Sequence, residues 1–404
     1  MNAIHGLDVT DRAPWRARTL FQALTRLAAG RLVLVTPEGI RRHFEGALPG
    51  PHADLVIRDW SAVGAMLRGA EIGLFECWRD GKVGTSDMAA LLELAARNQA
   101  ALEGVFYGNP FYALLLRVAH ALRANTRAGS RRNIHAHYDL GNDFYSLWLD
   151  PGMTYSSALF GAAEGMELAA AQGAKYQRLL DVLEVEPSHR VLEIGCGWGA
   201  FAEQAAATRG CHVTGLTISN AQLAYARERV AKAGLGDRVD LRFCDYRDAE
   251  GRYERIVSIE MLEAVGEKYW PGYFRVLRER LVPGGRAAIQ SIVIAEGAFE
   301  RYRSSSDFIR EYIFPGGMLP TVGMIEKHAR AAGLEVRGTF DFGADYARTL
   351  RHWRRAFDAA ETRIRALGFD DRFLAAWRFY FDYCEAGFNA GRVSVVQVEL
   401  GRPA

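Results

Sequence analysis

The stretch Val191–Phe201, VLEIGCGWGAF, runs from apolar residues into alternating glycines ahead of a helical pattern. A strand, a glycine turn and a helix N-terminus in that order bring backbone N–H groups up to a ligand. Downstream, the pattern predicts strands at 190–194, 211–216, 238–243, 254–260 and 285–293. Helices are predicted from Gly199, over 219–233 and over 270–281, with a long helical stretch over 348–389. The last run, RVSVVQVEL, alternates as a closing strand. Apolar strands alternating with helices make a parallel, doubly wound sheet.

A dinucleotide loop reads GxGxxG, with an acid closing the second strand to grip a ribose. This loop reads Glu193-Ile-Gly195-Cys-Gly197-Trp-Gly199, and the second strand ends VTGLTIS with no acid, which argues against a nicotinamide cofactor.

At 404 residues, 49% hydrophobic and 24% charged, the chain has the length and composition of a two-domain globular protein. A net charge of +2 makes no global case for nucleic-acid binding. Five scattered cysteines without a CxxC spacing favour neither a disulfide framework nor a zinc site and fit a reducing cytoplasm. His135 and His137 are two apart with no evident third ligand, so no metal is expected. No apolar run approaches the roughly 18 residues of a spanning helix, and the N-terminus lacks a signal-peptide core. The expectation is a soluble or peripheral protein.

Residues 1–125 read as a small α+β module, with strands such as LVIRDW and turns such as RDGKVG. A collar holding Arg123, Arg127, Arg131 and Arg132 marks the boundary near residue 125 and suits an anionic membrane surface.

The Glu-x-Gly-x-Gly-x-Gly loop resembles the S-adenosylmethionine loop of the seven-stranded methyltransferases. RFCDYRD supports that likeness by placing Asp245 and Tyr246 after the third strand, where this class puts an acid for the adenine amino group and an aromatic for its face. HYDLGNDFYSLWLDPGMTYSSALF (137–160), GLTISNAQ, IVSIEMLEAVG, YIFPGGMLP and FGADYARTL follow in one order. Together they resemble the cyclopropane-fatty-acyl-phospholipid synthases. The resemblance implies an α/β, Rossmann-like methyltransferase domain over 126–404 with helical substrate-covering insertions. It also implies that the smaller N-terminal domain handles lipid and forms a homodimer.

The implied reaction is methyl transfer from S-adenosylmethionine to a double bond of a phospholipid acyl chain, forming a cyclopropane ring. The alternative ends in a methyl- or methylene-branched chain, and a third reading is a non-catalytic lipid-binding relative. Work at the inner face of the membrane, on the cytoplasmic side, goes with it. By matching motif, Tyr155, Ser156, Glu193, Gly195, Gly197, Thr217, Gln222, Asp245 and Tyr246 would line the cofactor pocket. The family binds bicarbonate through a Cys, a Glu, a His and a Tyr. Glu263 and Tyr312 match two of these; Ser157 stands for the Cys and Gln290 for the His. Ala264 replaces a further family His, and Glu260 is an extra acid where a small residue is commoner, read as a cap or a cofactor-side contact.

An alkene is a weak nucleophile, so positioning carries much of the rate, and the cation it leaves is attracted to aromatic faces. Tyr302, Phe308, Tyr312, Phe314 and Trp353 are candidates, with Phe308 and Trp353 better read as core. Glu263 would take the final proton or position an anion that does. Cys384 matches a cysteine sometimes treated as catalytic in the family, although this transfer requires no covalent nucleophile.

Overall fold

A computed structural model describes residues 13–106, 140–162 and 165–404. The collar arginines, His135, His137 and the boundary near residue 125 lie outside the described residues.

The chain forms two compact units. The first joins the described part of 1–118 to Ser305–Phe308 and Asp370–Ala390; the second holds the remainder. The contiguous division at 125 is therefore corrected: the helix Asp371–Asn389 packs with the N-terminal module.

In the first unit, β1 (Ala29–Val35), β2 (Arg41–Glu45), β3 (Leu48–Ile57) and β4 (Val83–Gly84) form a sheet in the order β2-β1-β3-β4. Asn98 pins this sheet to the helices. Its buried side chain accepts from Ala28 N at 2.7 Å and Ala29 N at 3.0 Å and donates to Ala29 O at 2.8 Å. Phe308 is core, as expected, with its ring 4.8 Å from Phe75 and 4.7 Å from Phe379.

The second unit is built on β5 (Arg190–Ile194), β6 (His212–Thr217), β7 (Val239–Phe243), β8 (Tyr253–Ile259), β9 (Leu281–Ile294), β10 (Glu335–Asp341) and β11 (Val393–Gly401). Their order is β10-β11-β9-β8-β5-β6-β7. β5 through β9 pair in parallel, while β11 is antiparallel to both β9 and β10. Alternation along β5 divides the core: Val191 packs with Leu179, Phe201 and Val213 on one face, and Leu192 and Ile194 pack with Trp270 and Phe274 on the other. Strand order reverses at β5, between β6 and β8, and ligands of open α/β sheets bind outside the strands' C-terminal ends at such a switch point.

Two boundaries differ from expectation. β9 begins at Leu281, which pairs with Tyr253 of β8, and ends at Ile294, which pairs with Val393 of β11. The stretch 348–389 lies in three helices, Gly343–Ala359, Glu361–Ala366 and Asp371–Asn389, broken in part by Gly368 at φ +95°.

Candidate active site

Three glycines shape the turn after β5. Gly195, Gly197 and Gly199 have φ of +84°, +51° and +86°, a region other residues enter at a cost. Gly195 N and Cys196 N donate to Leu216 O at 3.0 and 2.8 Å, which fastens the loop to β6. Gly199 caps the helix Ala200–Arg209, and a Cβ there would meet Ala226 Cβ at 3.0 Å. A Cβ on Gly197 would meet nothing within 4 Å, so the loop opens onto free space there.

Polar groups gather around that space. Glu193 is buried with Oε2 lacking a partner among the described residues, and burial pushes its carboxyl up to about 8. Thr217 Oγ1 donates to Gln222 Oε1 at 3.1 Å, on the turn where Ser219 caps the helix Asn220–Lys232. Asp245 follows β7 as expected, but its carboxylate accepts from Arg247 Nε at 2.8 Å and Nη2 at 2.6 Å. Tyr246 stands beside it, its ring 5.6 Å from Tyr273. Ser156 Oγ accepts from Lys175 Nζ at 2.6 Å. Lys175 is fully buried, and burial draws its ammonium down to about 7 against the pull of Glu260, Asp150 and Glu193. An open glycine turn with an unpaired buried carboxyl and convergent polar groups fits the amino-acid and adenosyl parts of S-adenosylmethionine.

Tyr155 is walled by aromatics. Its ring lies 5.3 Å from Trp353, 5.4 Å from Trp148, 5.5 Å from Tyr145 and 6.3 Å from Phe314.

Beyond the end of β8 lies a carboxylate pair. Glu260 has φ +50°, strained for a side chain of its kind. Its Oε1 accepts from Ser157 N and Gln290 Nε2, both at 2.8 Å, and its Oε2 accepts from Tyr346 OH at 2.7 Å. Behind it, Gln290 Oε1 accepts from Gln397 Nε2 at 3.0 Å, and Arg178 donates to Gln397. Gln290 and Gln397 are register partners on β9 and β11, which explains the chain of amides. Burial raises the Glu260 carboxyl, while its three donors and Lys175 favour the anion.

Glu263, in the short turn Leu262–Ala264, accepts from Ser291 Oγ at 3.1 Å and from Ile292 N. Its buried Oε2 has no partner among the described residues. Burial, and then the charge of Glu260, push its carboxyl up to about 8. The pair is thus held differently: Glu263 carries a proton at neutral pH, whereas the three donors to Glu260 oppose the effect of its burial and favour its anion.

Some expected residues are placed otherwise. Tyr312 is 39% exposed on the turn Ile309–Ile313; the tyrosine that reaches the carboxylate is Tyr346. Cys384 belongs to the first unit, where burial pushes its thiol up, away from the reactive thiolate. Glu260 is no helix cap. Ser157 and Gln290 do come together as expected, but the Ser157 hydroxyl donates to Ala158 O at 3.0 Å. With Ser157 N and Gln290 Nε2 already given to Glu260, the residues here do not fit a bound bicarbonate. Tyr346, Gln397 and Lys175 escaped the sequence reading. Only Tyr346 left a signal there, inside the singled-out FGADYARTL.

Residues 125–398 match the family described as mycolic acid cyclopropane synthetase. The chain is 44% identical over 285 residues to tuberculostearic acid methyltransferase UfaA1 of Mycobacterium tuberculosis, covering 69% of this chain and 66% of that protein. It is 37% identical over 289 residues to the cyclopropane-fatty-acyl-phospholipid synthase of Escherichia coli K12, covering 71% and 72%. The crystal structure of mycolic acid cyclopropane synthase CmaA1 complexed with SAH and CTAB superposes with a TM-score of 0.63 at 30% identity, over 67% of this chain and 98% of that one. With the glycine turn, the strand order and these matches, the chain belongs to the mycolic acid cyclopropane synthetase family of S-adenosylmethionine-dependent methyltransferases.

Proposed function

We propose that this protein methylates the double bond of an unsaturated acyl chain in a membrane phospholipid and releases a chain that bears a methyl or methylene branch instead of a ring. It would act as a peripheral protein on the cytoplasmic side, and the collar arginines would favour anionic lipid. The supporting observation is the buried carboxylate pair beside the aromatic wall: Tyr346 donates to Glu260, and its ring lies 6.0 Å from Trp353, which stands against Tyr155.

S-adenosylmethionine, when bound, supplies an electrophilic methyl group and leaves as S-adenosylhomocysteine. Tyr155, Ser156, Glu193, Gly195, Gly197, Thr217, Gln222, Asp245 and Tyr246 would hold it, with Arg247 orienting Asp245. The π pair of the alkene forms the new carbon–carbon bond and leaves a cation on the neighbouring chain carbon. Tyr155, Trp353 and Phe314 exclude water there and face the cation, each contact worth up to about 2 kcal/mol when desolvated. A carboxylate then takes a proton from a chain carbon beside the cation, and that C–H pair becomes the new π bond of a methyl-branched alkene. An exocyclic methylene forms only when a hydride first shifts from the methyl-bearing carbon to the cation, so that the methyl lies beside the charge and gives up the proton.

Ring closure requires the proton to come from the methyl just delivered. The resemblance assigns that task to an anion held by Cys and His, which Ser157 and Gln290 replace here, so loss of a chain proton is favoured. UfaA1, the tuberculostearic acid methyltransferase, and the Escherichia coli cyclopropane synthase stand for the two outcomes.

Phospholipid vesicles given S-adenosylmethionine with a fully deuterated methyl group will decide. A methyl-branched alkene keeps three deuterium atoms, a ring or exocyclic methylene keeps two, and upfield proton signals mark the ring. Product that is wholly cyclopropane refutes the branched outcome. No label in any lipid refutes the activity.

A further inference from the structure

Among the described residues, Ser157 N and Gln290 Nε2, at the positions that replace the family's Cys and His, are given to Glu260, yet the reaction still ends in the loss of a proton. We infer that the carboxylate of Glu260 takes the place of the bicarbonate, so that this protein accepts the proton on its own side chain and works without the ion. The inference rests on the methyl transfer proposed above.

Three observations carry it. First, the groups at the substituted positions converge on one carboxylate: Ser157 N and Gln290 Nε2 both reach Glu260 Oε1 at 2.8 Å, and Tyr346 OH reaches Oε2 at 2.7 Å. A carboxylate and a bicarbonate present the same planar pair of oxygens to such donors. Second, the side chain is held at some expense. Glu260 takes φ +50°, a conformation suited to glycine, and residues so strained cluster at functional sites. Third, the donors are themselves fixed from behind. Gln397 orients the Gln290 amide so that its NH2 faces Glu260, and Arg178 in turn holds Gln397.

The balance is simple. As the cation collapses, one C–H bond breaks, its electron pair stays on carbon, and its proton joins Glu260, which becomes a neutral acid. The proton passes to solvent when product leaves, with no oxidant or further reactant. Ser157, Gln290, Tyr346 and Gln397 are positioning residues.

The test uses full-length protein in buffer freed of carbon dioxide, with carbon-13 bicarbonate as the probe. Glu260→Gly removes the carboxylate while accepting the left-handed backbone, and leaves the donors bare. The wild type is expected to show no saturable bicarbonate binding by carbon-13 NMR, and its methyl transfer should change less than about twofold on adding the ion. The variant should bind bicarbonate. Its rate in its absence should fall about a hundredfold or more, the usual scale for loss of a positioned base, and recover at least about tenfold when bicarbonate or formate is supplied. Saturable binding by the wild type, or a wild-type rate that depends on the ion, overturns the inference, as does a folded variant that neither binds nor is rescued. The binding arm needs no turnover, so inactivity on every lipid would count against the proposed methyl transfer and leave Glu260 to be judged by binding alone.

Discussion

Two carboxylates three residues apart are held differently because their neighbours differ. Glu260 receives three hydrogen bonds, whereas Glu263 receives two and leaves Oε2 bare. Glu263→Gln keeps the shape and the neutral charge that Glu263 has at pH 7. It is therefore expected to lose less than about tenfold in turnover, while Glu260→Gln loses about a hundredfold or more; equal losses in a side-by-side assay would remove the distinction. Stability offers a second readout. The folded protein holds a proton on Glu263 up to about 8 that the unfolded chain releases near 4.5, so this contribution is full below 4.5 and is lost as pH rises through 8. The fall in melting temperature across that window should be shallower in Glu263→Gln than in wild type. At this scale the sequence reading was partly sufficient. Ser157 and Glu263 each sit in a quoted motif and Gln290 in the strand expected over 285–293, and the sheet brings them to one place. Tyr346 and Gln397 contribute through register and helix position, which a linear pattern does not express, and Tyr312 had the expected chemistry on an exposed turn.

Neighbouring glycines in the turn after β5 serve different purposes. Both Gly197→Ala and Gly199→Ala place a side chain in left-handed backbone, at about 1–2 kcal/mol each. Gly199 would also press its Cβ on Ala226 at 3.0 Å, whereas at Gly197 the methyl enters open space. Gly199→Ala is thus expected to have the lower melting temperature, and Gly197→Ala the larger loss of S-adenosylhomocysteine affinity in calorimetry. The opposite ranking would mean that the free space above Gly197 is not the cofactor's. Elements were legible where punctuation was strong: β5, β6, β7 and β8 fall within a residue or so of expectation because glycine, cysteine or polar turns bound each apolar run. β9 is longer than its apolar run suggests because its first residue pairs with Tyr253 of β8 and its last with Val393 of β11, partners that a linear pattern does not express. The long helical stretch over 348–389 is helical along most of its length, divided into three helices by breaks at Ala360 and around Gly368.

For the whole molecule, the division of the chain matters more than the count of domains. A boundary near 125 looks sufficient from sequence, since every cofactor motif lies beyond it, but the helix Asp371–Asn389, whose Leu374, Trp377, Phe379, Tyr380, Phe381 and Phe388 are buried, belongs to the unit built on the N-terminal sheet. Phe379 lies 5.2 Å from Phe75, and Arg97 Nη2 donates to Asn389 O at 3.0 Å. A fragment starting at 126 keeps the helix and loses these partners. Full burial of one large apolar side chain is worth about 1.5–3 kcal/mol, so exposing even three or four of them costs about as much as the net stability of an ordinary domain. The fragment 126–404 is accordingly expected to aggregate, or to melt well below the full chain, although it contains the glycine turn, Glu260 and Glu263. Soluble yield, light scattering and thermal melts with and without S-adenosylhomocysteine will measure this. A polar replacement at Phe379, whose ring lies against Phe75 and Trp78, should restore solubility to the fragment while harming the full chain. A monodisperse fragment that melts with the full chain and binds S-adenosylhomocysteine equally well would show that the catalytic unit is self-sufficient and that the helix needs no cover from the N-terminal module.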